Sequence, residues 1–445
     1  FCPTFQMFFS FFVLIISYLH YFSAKNRNFD PANARFMIEY STFSLPNGLR
    51  VIHNYDPSTA MVAVNTLYNV GSRDESPELT GLAHLFEHLM FGGSVNIPDF
   101  DAEIERAGGT NNAWTSNDFT NFYDVAPAAN FETLLWLESD RMLGLSFSPA
   151  SLEVQRSVVI EEFKQTHLNR PYGDVAHRLR SLLYTTHPYR YPTIGKEISH
   201  IERVTMEDVK HFFYTHYAPN NAVLAISGNV TLERAREAVE RWYGAIPRRD
   251  ISPRLYQPET ISDSPRECTV TGAVPQPLIV IAYPMAAYGE RGYIEADILT
   301  DILASGRSSR YYRQLLMADS LFTEVDASIA GSEEPGFLML RARLSDASQK
   351  SVERARTILT TVASECTGIT DRELTRAVNR YESNHQFSML SYLTRAQELA
   401  LSEMHGEDIN SRVAAYRSVT TADVASATES IINPSHACTL IYLPQ

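Results

Sequence analysis

Cysteine is scarce in this chain of 445 residues, which contains four, at Cys2, Cys268, Cys366 and Cys438. Their scattered positions show neither a disulfide framework nor the close spacing from which thiolate zinc knuckles are built. The pattern mildly favours a reducing compartment. Any metal site must therefore draw its ligands from histidine, aspartate and glutamate.

Positive charge is also in short supply, because 38 Lys and Arg residues face 52 Asp and Glu residues, for a formal net charge of −14. A phosphate backbone requires a cationic surface, so this balance argues against a nucleic-acid partner. An acidic interior that favours cationic substrates remains compatible with it. The length suggests a globular protein of two or three domains.

Long apolar runs are missing, apart from Met7–Tyr21 near the amino terminus. This run is too short to span a bilayer comfortably, but it has the length of a signal-peptide core. No Lys or Arg precedes it, and sequence typical of a folded domain begins at Met37. Two interpretations of residues 1–36 remain. They are a signal or anchor of an exported protein, or an upstream extension of a cytoplasmic chain that starts at Met37.

The most informative segment is Gly81–Gly93, in which His84, Glu87 and His88 form the pattern H-x-x-E-H. Residues four apart lie on one face of a helix, so both imidazoles can reach the same ion. Glu87 borders that face and can take a proton from water at the ion. The alternative is a helix that carries two histidines and an acid by chance.

A second candidate ligand lies in the predicted helix Ala150–His167, where Glu161 and Glu162 are adjacent within an apolar stretch. Burying a carboxylate is costly unless it is paired or binds a metal. Neighbouring helical residues point about 100° apart, so only one of the two is expected to face a site. The alternative is a surface turn on which both are solvated.

The second half of the chain repeats the first. Val204–Ile226 and Val419–Ile441 share a helix-then-strand pattern at a separation of 215 residues, which predicts two homologous α+β domains. Their predicted bounds are 37–247 and 267–445, joined by a linker over 248–266 that is rich in Pro, Ser and charge.

The metal motif is not repeated. At a separation of 213 residues, His84 and His88 correspond to Asp297 and Asp301. Only the first domain is therefore expected to carry the chemistry.

Local patterns predict further elements around the motif. These are a hairpin over 40–54, a strand over 61–70, a helix that begins near Ser76–Glu78 and ends at Gly92, an extended segment Thr110–Val125, and a helix over 131–143.

The chain resembles the pitrilysin/insulinase family of zinc metallopeptidases, whose inverted H-x-x-E-H motif is that of His84 to His88. It is similar in length to the two-domain members, such as mitochondrial processing peptidase beta subunits and bacterial zinc-protease subunits. The resemblance implies two domains, each a mainly antiparallel sheet with helices packed on it, that face each other as half of a peptidase chamber. It also implies one Zn²⁺ per chain, Glu87 as the catalytic base and hydrolysis of peptides.

The family's third zinc ligand follows an E-R pair by a fixed spacing. Here Gln155-Arg156 precedes Glu162 at that spacing, so the resemblance makes Glu162 the ligand rather than Glu161. Gln155 stands where the family usually has Glu, which alters the surroundings of the site.

Gly108–Thr115 resembles the family's G-G-x-x-N-A-x-T segment. The resemblance implies an edge strand that pairs with extended substrate, with Asn112 and Ala113 as substrate-binding residues. An ordinary hairpin strand is the alternative.

Many single-chain members carry an Arg and a Tyr in the second domain that close over the substrate. The corresponding positions here are Leu316 and Thr323, neither of which can donate a comparable hydrogen bond. We therefore expect a zinc-bearing subunit with a homologous partner that supplies both groups, and a homodimer is the main alternative. Outside catalysis, the chain could be a core subunit of a larger assembly, or its zinc could be structural.

Overall fold

Two β-sheets, one from each half of the chain, form the framework of this computed structural model, which describes residues 37–254 and 256–445. The predicted apolar segment Met7–Tyr21 lies outside these ranges. Within the described part of the chain, no helix combines the length and apolar character that crossing a bilayer requires. The strands are β1 (Ser41–Ser44), β2 (Arg50–Tyr55), β3 (Met61–Tyr68), β4 (Thr110–Thr115), β5 (Thr120–Pro127), β6 (Ala222–Gly228), β7 (Arg266–Gly272), β8 (Leu278–Pro284), β9 (Phe322–Ala330), β10 (Phe337–Leu344) and β11 (Cys438–Pro444).

The two sheets share one topology. The first has the order β1-β2-β6-β3-β5-β4 and the second β7-β11-β8-β10-β9. In each sheet one pair is parallel, β2 with β6 and β7 with β11, and the other pairs are antiparallel. Without β1, the orders correspond strand for strand. The predicted fold class, two homologous and mainly antiparallel α+β domains, is confirmed.

Helices cover the sheets. Those of the first half are α1 (Leu82–Leu89), α2 (Phe100–Arg106), α3 (Phe131–Leu143), α4 (Pro149–Phe163), α5 (Val175–Leu183), α6 (Ile198–Arg203), α7 (Met206–His216) and α8 (Leu232–Tyr243). Those of the second half are α9 (Tyr293–Ala304), α10 (Gln349–Ser364), α11 (Asp371–Ser388), α12 (Tyr392–His405), α13 (Arg412–Ser418) and α14 (Thr421–Ile431).

The halves exchange one helix each. Helix α5 of the first half packs on β7, β8 and β11 of the second sheet, where Leu179 and Leu183 join a core with Leu278 and Leu440. Helix α12 of the second half packs in return on β2, β3 and β6 of the first sheet. Each half thus completes the core of the other, and this mutual burial ties the two together.

The predicted repeat is visible in local detail. Thr205 with Asp208, and Thr420 with Asp423, form capping boxes at the start of α7 and α14. Each box satisfies amide groups that the first helical turn leaves without partners. The inward faces of α1 and α9 are buried at matching positions when they are aligned at the separation of 213 residues.

Three predicted elements differ from the structure. The metal-motif helix begins at Leu82 rather than near Ser76–Glu78, because Gly81 adopts a left-handed conformation with φ of 91°. The extended segment Thr110–Val125 is a hairpin, which Ser116 closes by donating its backbone N–H to Phe119 O over 2.8 Å. Helix α4 ends at Phe163 and continues as one π-helical turn over Lys164–Leu168. The hairpin over 40–54 and the helix over 131–143 are confirmed.

Candidate metal centre

The start of α1 is held in place by Glu75. Its carboxylate accepts hydrogen bonds from the backbone N–H groups of Gly81 at 2.8 Å and Ala83 at 2.7 Å. These are among the amides that a helix leaves unsatisfied at its amino terminus. Burial raises the pKa of Glu75 to about 8, against the lowering effect of the two hydrogen bonds. Gly81 has no room for a side chain, since an added Cβ would lie 2.7 Å from Ile194 O.

Helix α1 presents His84 and His88 on one face, as the four-residue spacing requires. Their rings meet edge to face with centroids 4.9 Å apart. Glu162, on α4, reaches both of them: its Oε2 lies 3.7 Å from His84 Nε2 and 3.6 Å from His88 Nε2. Within the described ranges, these three residues are the one group of His, Cys, Asp or Glu side chains placed to share a metal ion.

Glu161 and Glu162 point in different directions. The side chain of Glu161 is 60% exposed and its Oε1 pairs with Lys164 Nζ at 2.6 Å, one turn along the helix. Glu162 instead faces the histidines. The structure therefore brings Glu162 to the motif and leaves Glu161 on the surface.

The three side chains fit a zinc ion by donor type and spacing. Two imidazole nitrogens and one carboxylate oxygen are a donor set of catalytic zinc sites that leave a fourth position open. Tetrahedral zinc with bonds of about 2.0–2.2 Å separates its ligand atoms by roughly 3.3–3.6 Å. The distances of 3.6 and 3.7 Å to Glu162 match that range closely.

The electrostatics of the site differ between the histidines. Burial lowers the pKa of His84 to about 4, so its ring is neutral at pH 7. Burial also acts to lower the pKa of His88, but the carboxylates of Glu162 and Glu87 outweigh it and the net pKa is raised. Contact with His88 in turn lowers the pKa of Glu162. Binding of a metal must therefore displace a proton from His88.

Glu87 lies beside the group and is oriented by Thr115. The hydroxyl of Thr115, the last residue of β4, donates a hydrogen bond to Glu87 Oε2. Burial raises the pKa of Glu87, and the bond from Thr115 and the charge of His88 partly oppose this effect. A carboxylate with a raised pKa is a stronger base. Thr115 received no role from the sequence, although it is the final Thr of the G-G-x-x-N-A-x-T segment.

Gln155 lies one face of α4 away from solvent and interacts with His88. A hydrogen bond from its side chain helps to raise the pKa of His88. The residue that departs from the family's usual Glu thus touches a candidate ligand directly, and it does so without adding a negative charge.

Strand β4 forms one edge of the first sheet, pairing with β5 alone. The backbone N–H of Ala113 is bound by Asn112 Oδ1 at 2.8 Å rather than by a neighbouring strand. Successive strand residues point to opposite faces, so Ala113 and Thr115 share the face near Glu87 while Asn112 projects from the other. The structure does not bring the Asn112 side chain to the histidines.

The corresponding region of the second half holds no such group. Asp297 accepts a hydrogen bond from Tyr416 at 2.7 Å, and Asp301 lies 3.4 Å from Arg380 Nε. Both carboxylates are thus satisfied by protein groups. Leu316 packs against the second core, and the exposed Thr323 lies near the start of β9, which is the edge strand of its sheet.

Comparison with known families places both halves. The model described as Insulinase (Peptidase family M16) matches residues 50–197, and that described as Peptidase M16 inactive domain matches residues 203–381. The chain belongs to the M16 (insulinase) family. The H-x-x-E-H helix lies in the part matched by the first model, and the half without a metal motif supplies most of the second match.

Several M16 relatives are named as zinc proteases. The chain is 29% identical to "Zinc protease PqqE" of Helicobacter pylori over 287 residues, which are 63% of this chain and 64% of that protein. It is 24% identical to "Uncharacterized zinc protease YmxG" of Bacillus subtilis, over 78% of this chain and 84% of that one. "Mitochondrial-processing peptidase subunit beta" of Saccharomyces cerevisiae is 28% identical over 49% of this chain and 47% of its own length. Protease-like function is therefore a property of the family around this chain.

Solved M16 structures share the fold. A protease from Helicobacter pylori superposes with a TM-score of 0.86 at 23% identity, covering 92% of this chain and all of that one. Pitrilysin superposes with a TM-score of 0.75 at 17% identity and covers the same share of this chain, but 45% of its own length. The present chain thus corresponds to about half of the larger enzyme.

Proposed function

We propose that this chain is a zinc-dependent endopeptidase that hydrolyses peptides or unfolded segments bound in extended form. The observation that carries the proposal is the meeting of His84, His88 and Glu162 around one point, with Glu87 beside them. Only three protein ligands converge there. A structural zinc site would normally be closed by four.

Zinc bound by His84, His88 and Glu162 would supply a Lewis acid that acidifies water and polarises a carbonyl group. Glu87 takes the proton from the attacking water and passes it to the leaving amine, because no other carboxylate borders the histidine pair on α1. Thr115 keeps the Glu87 carboxylate turned toward that position. Strand β4 therefore carries both a binding edge and a residue that orients the base.

Substrate binding is proposed to add a strand to the open edge of β4. The Ala113 N–H is held only by the side chain of the preceding Asn112, which a substrate carbonyl can replace. Backbone pairing of this kind reads the extended chain more than its side chains. It suits unfolded segments of varied sequence.

Replacing Ala113 by proline tests this binding mode. Proline removes the N–H donor and is tolerated on an edge strand, so the fold should survive. We expect kcat/KM for a quenched-fluorescence peptide to fall about tenfold or more, since a lost hydrogen bond costs about 1 kcal/mol and the ring adds a steric block. Ala113→Ser keeps the N–H and serves as control. Equal activity of the proline and serine variants would rule out pairing at this residue.

We further propose that the chain acts with a homologous partner subunit. In support, Leu316 and Thr323 occupy positions where single-chain members of the family have Arg and Tyr, and neither replaces their hydrogen bonds. One relative is itself named as a subunit. The chain would then supply the zinc-bearing half of a dimer.

Isolation of the native protein tests the partner. We expect a complex with a second M16 chain, and at least tenfold higher peptidase activity in the complex than in the purified chain alone. Sedimentation gives the stoichiometry and mass spectrometry identifies the partner. Self-association alone, together with full activity of the pure chain, would favour the homodimer instead.

A further inference from the structure

A basic cleft lies close to the metal centre, between α5 and the segment that follows it. It has a volume of about 370 Å³ and is lined among others by His177, Arg178, Arg190, Lys196 and Cys268. Three of its lining residues carry fixed positive charge and none is an acid. In a chain with a net charge of −14, this concentration of cations is local and unusual.

Two of these cations have no counter-ion. Arg178 pairs with Asp174 at 2.5 Å, but neither Arg190 nor Lys196 lies within 4 Å of a carboxylate among the described residues. Lys196 is exposed. Arg190 uses one nitrogen to donate to Thr185 O at 2.8 Å, while its buried Nε has no hydrogen-bond partner. Buried donors are rarely left unsatisfied in native proteins, so an acceptor is missing here.

His177 adds a second donor of the same kind. Its Nε2 lies 2.9 Å from Gly195 O, and its buried Nδ1 has no partner. The cleft thus combines mobile positive charge at its mouth with unsatisfied nitrogens in its wall. That combination fits a carboxylate, which offers two acceptor oxygens and one negative charge.

The cleft is fastened to the metal-binding helix. The backbone N–H of Lys196 donates to Thr80 Oγ1 at 2.8 Å, and Gly195 packs so closely that an added Cβ would lie 2.8 Å from Thr80 O. The ring of His177 lies 4.8 Å from that of His167, five residues beyond Glu162. Cleft and metal centre are therefore separated by a distance on the order of 10 Å, which three or four residues of an extended peptide span.

We propose that this cleft is a subsite for a carboxylate of the peptide substrate, three or four residues from the bond that is cleaved. The inference rests on the proposed peptidase function and names a preference within it. Two sources of the carboxylate are compatible with the site, an acidic side chain and the free carboxyl terminus of a short peptide. The subsite would then select among peptides that β4 binds through their backbone alone.

The test uses the zinc-loaded full chain and quenched peptides with amidated carboxyl termini, in which one Glu is moved through each position and compared with Gln. A second series carries Gln throughout and a free carboxyl terminus at varied distance. We expect kcat/KM to be about tenfold higher for Glu, or for the free terminus, three or four residues from the cleaved bond, as a charge-assisted hydrogen bond allows. The series that shows the preference identifies the source of the carboxylate.

Charge reversal supplies the control. Lys196→Glu should lower the Glu to Gln ratio below one, and should not affect folding because its side chain is exposed and unpaired. Lys210→Glu reverses an equally exposed lysine on α7, outside the cleft, and should leave the ratio at its wild-type value. The subsite is ruled out if no position gives more than a twofold preference, or if both variants change the ratio equally.

Binding separates this inference from the peptidase proposal. Fluorescence anisotropy of labelled Glu and Gln peptides with the Glu87→Gln variant should show the same preference without turnover. Tighter binding of the Glu peptide by a wild-type chain that cleaves nothing would refute the peptidase function and retain the subsite. Cleavage with equal affinity for both peptides would refute the subsite alone.

Discussion

Replacing Glu87 by glutamine should abolish peptide hydrolysis while leaving zinc bound. The amide keeps the size of the side chain and can still meet the Thr115 hydroxyl, but it cannot accept the proton that the attacking water must lose. General-base catalysis is worth about 10²–10⁴ in rate, so we expect kcat to fall by at least about a thousandfold. Stopped assays on a quenched peptide library, with metal analysis of the same preparation, provide the measurement.

Glu161→Gln is the matched control for this variant. It makes the same chemical change at a side chain that is exposed and pairs only with Lys164. An exposed ion pair of this type contributes about 0.2–1 kcal/mol at most, so activity and stability should remain close to wild type. If Glu87→Gln retained its peptidase activity, another residue would have to be the base.

Replacing Glu162 by alanine should remove zinc itself. One of the three converging donors is lost, and the two imidazoles that remain on α1 make an incomplete site. Substitutions of residues that only support a metal ligand already cost 10–100-fold in affinity, so loss of a ligand should cost at least about 100-fold. Competition with a chromophoric chelator measures the affinity, and peptidase activity should disappear in parallel.

The adjacent carboxylate again provides the comparison. Glu161→Ala should bind zinc as the wild type does, because its side chain points away from the histidines. Loss of zinc from Glu161→Ala with retention in Glu162→Ala would reverse the assignment of the third ligand. Equal retention in both would exclude the metal centre described here.

The parts of the site that depend on local spacing could be predicted from the sequence. His84 and His88 share a helical face because of their separation alone, and the fixed spacing from Gln155-Arg156 pointed to Glu162. The start of α1 was misplaced by several residues. Gly81 was visible in the sequence, but its left-handed conformation follows from close packing against Ile194, which a local pattern does not reveal.

Features that depend on distant contacts could not be predicted. Thr115 meets Glu87 only because the end of β4 packs beside α1, and a threonine in a strand has many other uses. The exchange of α5 and α12 is of the same kind. An amphipathic helix shows that it has a buried face, but it does not show which sheet buries it.

The basic cleft also escaped sequence reasoning. Arg190 and Lys196 lie in a segment without regular periodicity, and Arg178 belongs to a helix several residues earlier. Only the docking of Gly195 on the start of α1 brings them together near the metal centre. Net charge pointed the other way, because a total of −14 gives no sign of a local positive field.

The central claim is that one zinc ion at His84, His88 and Glu162 serves a peptidase whose base is Glu87. Zinc content and peptide turnover, measured together on the wild type and on Glu87→Gln, test it most directly. The structure predicts one zinc per chain in both proteins, with turnover in the wild type alone. Turnover by Glu87→Gln, or turnover by a wild-type chain from which all zinc has been removed, would contradict it.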